Sequence, residues 1–115
     1  MKRNKVVLLK IVKYCDDINF LIQKFNNDFA NYINDISFQY SCNMCIIQIG
    51  ELISRLSEDF RQQHKEIPWK EIKAMRNMHA HDYEKVDFDT MWKTLTLDIP
   101  DLKNKLREII SNIID

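Results

Sequence analysis

Apolar residues along the first third of the chain return every three or four positions. Val7, Leu8, Ile11, Cys15, Ile18, Leu21, Ile22 and Phe25 form one such stripe, which predicts an amphipathic helix from about Lys5 to Phe25. The next stretch, NNDFANYIND, is polar and rich in Asn and Asp, and it reads as a loop or a broken helix. A second stripe of Cys42, Cys45, Ile46, Ile49, Leu52, Ile53 and Leu56 predicts a helix from about Ile36 to Leu56. Beside it runs a thinner line of Asn43, Gly50, Ser54 and Ser57, a place where a backbone or ligand could approach closely. Ser57 reads as the N-cap of a short turn, SEDFRQQH. Pro68 sits at or near the first position of a third helix, EIPWKEIKAMRNMHAHDY. Asp89 or Thr90 starts a further short helix through Trp92 and Leu95. The final helix begins near Pro100, with Asp98 as its expected cap and Leu102, Leu106, Ile109, Ile110 and Ile113 as its stripe.

One glycine and two prolines in 115 residues leave few tight turns, which agrees with long helices. The expected fold is therefore all-α, an up-and-down bundle of four to five helices in a single domain spanning residues 1–115. Seventeen basic residues balance seventeen acidic ones. Any contact with nucleic acid must then come from a local patch, not from a field over the whole surface. Lys10 and Lys13 interrupt the apolar amino-terminal run short of a membrane span or signal core. With three cysteines, an odd number, the chain reads as cytoplasmic with reduced thiols. Cys42 and Cys45 share the core face of a helix, and no second pair at matching spacing completes a zinc site. They are expected to be small buried hydrophobes. His64, His79 and His81 match no common metal-ligand spacing.

The residues AMRNMHAHDY, positions 74–83, concentrate polar chemistry. On a helical wheel of about 100° per residue, Arg76 falls among Trp69, Ile72 and Met75, not on the polar face. A guanidinium directed toward a core must be paired or must line a cavity. Either it makes a structural ion pair with a glutamate such as Glu51 or with a helix-end carbonyl, or it serves a site. His81, five residues on, lies roughly 140° away on a straight helix. The two meet only if the helix ends near Ala80 or a second chain completes the site. His79 reads as packing at the core edge, and His81 and Tyr83 each admit a plain structural role as well. As a functional cluster these residues suit phosphoryl chemistry. Arginine offers a fixed fork of donors to phosphate oxygens, and histidine moves protons near neutral pH. Asn77 could hydrogen-bond a phosphate or orient a partner. With no serine or cysteine nucleophile beside the histidine and no carboxylate cluster, the pattern favours metal-free cleavage in which RNA supplies its own nucleophile.

The segments MCIIQIGELISRLSEDFR, IPWKEIKAMRNMHAHDY and LTLDIPDLKNKLREI together resemble the HepT-like members of the HEPN superfamily, from about residue 36 to the end. The resemblance implies an α-helical homodimer whose arginine–x4–histidine–x–tyrosine motif lines a cleft between two chains. It implies a metal-independent ribonuclease toxin, without cofactor, paired with a minimal nucleotidyltransferase antitoxin. Arg76 and His81 are then the catalytic pair, with Arg76 on the phosphate and His81 as acid or base. Asn77 matches the polar residue after the arginine, and Tyr83 matches the tyrosine that receives AMP from the antitoxin. RNA is the implied substrate; neither DNA nor a membrane is an expected partner. A second reading keeps the bundle but makes it a non-catalytic helical subunit of a nucleotidyltransferase. A third makes it a protein that binds nucleotides or RNA without cutting.

Overall fold

The computed structural model describes residues 2–81 and 87–113, with backbone only for residue 2 and residues 76–81. The described residues are all-helical. Helix α1 spans Lys2–Lys24, α2 Phe29–Asn34, α3 Ile36–Ile53, α4 Glu58–Gln63, α5 Trp69–His81, α6 Phe88–Lys93 and α7 Ile99–Ser111, with a π-helical turn at Thr94–Asp98 joining the last two. α1, α3 and α5 are long, as the periodicity predicts; α6 and α7, expected as separate helices, run on through the π turn.

α3 packs on both α1 and α5, and α1 also packs on α7. α1 and α3 run antiparallel. Asn4 at the start of α1 meets Ser57 just beyond α3, donating to its Oγ at 3.2 Å and accepting from its N–H at 3.2 Å. At the other end Phe25 stacks on Phe38 with ring centroids 4.3 Å apart. Leu8, Ile11, Ile18, Ile46, Ile49, Ile53, Leu95 and Leu106, drawn from α1, α3, the π turn and α7, are sealed from solvent in one core.

The Asn/Asp-rich stretch turns out to be a turn, a short helix and a second turn, each closed by its polar side chains. Asn26 and Asn27 take positive φ, 65° and 48°, a region that Asn tolerates better than most residues. The Asn27 N–H then reaches back to the Ile22 carbonyl at 2.7 Å, the six-to-one bond that ends many helices. Asp28 caps α2 by accepting from the Ala30 N–H at 2.8 Å, and Asp35 caps α3 by accepting from the Phe38 N–H at 3.1 Å. Gln39 donates to the Tyr32 carbonyl at 2.9 Å. These bonds hold Tyr32 edge-on to both Phe38 and Phe88 and 5.5 Å from Trp92. An aromatic cluster thus locks α2, α3 and α6 together.

Two boundaries differ from expectation. α6 starts at Phe88, because Asp87 supplies the cap: it accepts from the Asp89 N–H at 3.0 Å and the Thr90 hydroxyl at 3.0 Å. Asp98 is no cap. It keeps helical angles, φ −70° and ψ −41°, and makes no capping bond. The chain stays helical from Phe88 to Ser111 because the π turn absorbs Pro100. A proline inside an α-helix removes one N–H and clashes with the carbonyl four residues back. Here the Ile99 N–H bonds the Thr94 carbonyl five residues back, so the backbone widens just before the ring.

Ser57 both caps α4, accepting from the Phe60 N–H at 3.2 Å, and meets Asn4. Ser57→Ala is expected to lower stability by about 1–2 kcal/mol. In urea unfolding this would appear as a lower midpoint with an unchanged slope.

Candidate active site

α5 begins where the chain leaves α4. Pro68 cannot provide a side-chain cap, but its carbonyl accepts the Ile72 N–H at 3.1 Å. The Trp69 indole N–H donates to the His64 carbonyl at 3.0 Å, pinning the first turn to the end of α4. Trp69 and Ile72 are buried and Met75 packs against the core. These three residues fix the rotation of α5 about its axis. On the same wheel, position 76 falls inside their arc, and position 81 lies about 140° from it.

Arg76, Asn77 and His81 are all on α5, which is helical through His81. Their side chains, and that of His79, are outside what the structure describes. Tyr83 lies outside the described residues altogether. Because the helix reaches His81, a regular backbone keeps positions 76 and 81 on different faces. A site that uses both needs a rearranged last turn or a second chain.

The flank of α3 that meets α5 carries the small-residue line. Cys45 and Leu52 mark the side of α3 toward α1, since Asp17 and Lys13 of α1 are close enough to Cys45 to act on its thiol. Asn43 and Gly50 lie on the opposite flank and are buried within the single chain. The close approach expected along this line is made at Asn43 and Gly50 by a neighbouring helix of the same chain. Gly50 serves the contact between α3 and its neighbouring helix, where the missing Cβ lets two backbones approach. Ser54 stays exposed and bonds back to the Gly50 carbonyl at 3.4 Å. Asn43 is 6% exposed, and neither atom of its amide has a hydrogen-bond partner among the described residues.

The exposed part of α3 is instead apolar at Ile36, Tyr40 and Met44, four residues apart and each more than half exposed. A solvent-facing stripe of this kind is unusual on a surface helix. Sequence periodicity assigned no role to it, because the core stripe on the other side of α3 accounts for the helix by itself.

The cysteines are free and buried. Burial pushes the Cys15 and Cys42 thiols up to about 12 and Cys45 up to about 11. They are thiols at neutral pH and so neither nucleophiles nor ready metal ligands. This agrees with reading Cys42 and Cys45 as small hydrophobes.

A family model described as "Ribonuclease HepT-like" matches residues 11–109, a span that runs through α5 and its motif. The chain belongs to the HepT-like ribonuclease family. Among its relatives, a candidate RNase of Methanocaldococcus jannaschii is 34% identical over 110 residues, covering 95% of this chain and 88% of that protein. A candidate RNase of Caldanaerobacter subterraneus is 31% identical over 111 residues, 96% of each chain. A candidate ribonuclease HepT of Thermococcus cleftensis is 35% identical over 91 residues, 77% of this chain and 83% of its own. No solved structure gives a significant match.

Two measurements follow from this geometry. Asn43→Leu keeps the side-chain shape and removes a buried amide that has no partner among the described residues, so it is expected to raise stability by about 1–3 kcal/mol in urea unfolding. The cysteines titrate later in the folded chain than at their ordinary value of 9.0. Between about pH 9 and 12 the unfolded chain therefore binds fewer protons, and stability falls as pH rises through that window. Below pH 9 this contribution is fully present, and a thiol reagent should label the cysteines only as fast as the protein unfolds.

Proposed function

We propose that this HepT-like protein is a metal-independent endoribonuclease toxin whose site forms between two copies of the chain. Membership in the ribonuclease family, matched across α5, carries this reading. The helical register supports the two-chain part: positions 76 and 81 cannot share a face of one regular helix. The apolar stripe at Ile36, Tyr40 and Met44 gives a second copy something to cover.

In this reading Arg76 holds the scissile phosphate and the charge that builds on it, a task suited to a permanently charged planar fork. His81 takes the proton from the ribose 2′-hydroxyl or returns one to the leaving 5′-oxygen. The 2′-oxygen bonds to phosphorus as the P–O5′ bond breaks, leaving a 2′,3′-cyclic phosphate and a free 5′-hydroxyl. Asn77 supports the phosphate. Tyr83, two positions beyond His81, is the residue on which a minimal nucleotidyltransferase antitoxin places AMP, and that added bulk and charge close the cleft to RNA. Action on cellular RNA fits a cytoplasmic protein, and no described helix is long and apolar enough to cross a membrane.

The test is cleavage of labelled structured RNA in excess chelator, by protein whose intact mass shows Tyr83 unmodified. His81→Ala is expected to lose roughly 10²–10⁴-fold in rate. Arg76→Ala should lose at least as much, and Arg76→Lys should not restore it, because an ammonium cannot reproduce the fork. Light scattering should give a dimer. Silence from the wild type together with both alanine variants, all folded, would sink the enzyme reading in favour of a non-catalytic partner of a nucleotidyltransferase.

A further inference from the structure

The chain carries no net charge, yet its charges are not evenly matched. On α1 and α7 four of the cations are held in ion pairs. Lys13 pairs with Asp17 at 2.8 Å, Lys103 and Arg107 both reach Asp16, and Lys105 pairs with Asp101 at 3.0 Å. At the corner between α4 and α5 the pattern reverses. Arg61, Lys65, Lys70 and Lys73 line one groove of about 540 Å³, and none of the four forms an ion pair with a described residue. Arg61 goes further: its Nε is shut off from solvent and has no hydrogen-bond partner among the described residues.

Two carboxylates, Glu58 and Glu71, also line the groove. Each sits in the first turn of its helix, where the positive end of the helix already offsets a negative charge. The groove therefore keeps an excess of two positive charges before the helix ends are considered. Pro68 adds to this, since without a side-chain acceptor it cannot cap the first N–H groups of α5. Lys70 and Lys73 are three apart on α5, and position 76 is the next step along the same ridge. The groove thus leads along the helix toward the Arg76 position.

We propose that this corner binds the RNA phosphate backbone and delivers the strand along α5 to the cleavage site. The inference rests on the ribonuclease reading above and deepens it. Four cations with no ion-pair partner among the described residues, and no exposed ring, point to phosphate and not to bases: Trp69, the groove's aromatic residue, is buried and its N–H is committed to the His64 carbonyl. Recognition here is consequently indifferent to sequence and strongly dependent on salt.

The experiment measures fluorescence anisotropy of a fluorescein-labelled single-stranded RNA of mixed sequence, between about 50 and 200 mM salt. The protein is the full chain in a His81→Ala background, so that the probe survives. Removing Lys65, Lys70 and Lys73 together by alanine substitution should weaken binding at low salt at least tenfold. At about 0.7 per phosphate contact on a single strand, it should also make the slope of log affinity against log salt shallower by about 2. Lys13→Ala with Lys105→Ala, which removes two paired cations elsewhere, should leave the slope unchanged. An unaltered slope in the triple variant, with its helical circular dichroism intact, overturns the proposal. Equal losses in the control do so too, because they would mean a net-charge effect only. If the same lysine variant on an intact His81 cleaves RNA like wild type, this proposal alone fails. If the wild type neither binds nor cleaves, the ribonuclease reading falls and takes the groove with it.

Discussion

The constraint on which the rest of the molecule depends is that α3 has to bury two flanks at once. One flank, marked by Cys45 and Leu52, faces α1, and another packs on α5. Burial of this kind is the main favourable contribution to folding, at about 1.5–3 kcal/mol for each large apolar side chain fully removed from water. It also explains the local devices at the ends of α3. Asp35 starts it where the aromatic cluster of Tyr32, Phe38 and Trp92 closes the bundle. Ser57 and Asn4 tie off its other end against α1. A small shift of α3 would disturb both ends.

That arrangement has a consequence for function. With α5 rotated so that Trp69, Ile72 and Met75 face protein, the position of Arg76 follows the buried arc and His81 does not. The same helical repeat that puts position 76 in that arc places position 81 about 140° away. The buried amide of Asn43, on the α3 flank that meets α5, is the one described place in this region where packing and hydrogen bonding conflict. Conflicts of this sort are tolerated where function asks for something that stability does not.

Charge is organised by the same scaffold. Lys13, Lys103, Lys105 and Arg107 of α1 and α7 pair with Asp16, Asp17 and Asp101, while Arg61, Lys65, Lys70 and Lys73 at the α4–α5 corner have no such partner among the described residues. A chain of zero net charge can therefore present a basic face beside the helix that bears the motif. Attraction for a polyanion depends on where charges stand locally, since fields decay within about 8–10 Å at physiological salt.

The all-α class, the spans of α1, α3 and α5, the Ser57 cap and the inertness of the cysteines were legible in the sequence. Each depends on periodicity or on a side chain meeting its own backbone, and such information is local in the chain. The arginine–x4–histidine spacing was legible for the same reason, and with it the kinship to HepT-like ribonucleases. Tertiary structure decided what local pattern cannot encode. Asp98 looked like a cap, yet the π turn carried the helix through Pro100, because packing of Leu95 and Ile99 into the core outweighed the proline's preference for a helix start. The line of Asn43 and Gly50 read as a place of close approach, and folding decided that a helix of the same chain makes it. Arg61, Lys65, Lys70 and Lys73 were ordinary surface cations until folding brought the end of α4 beside the start of α5 and left them in one groove. Which residues share a helix face follows from the 3.6-residue repeat; which faces meet, and which charges are left unmatched, follows only from how the helices pack.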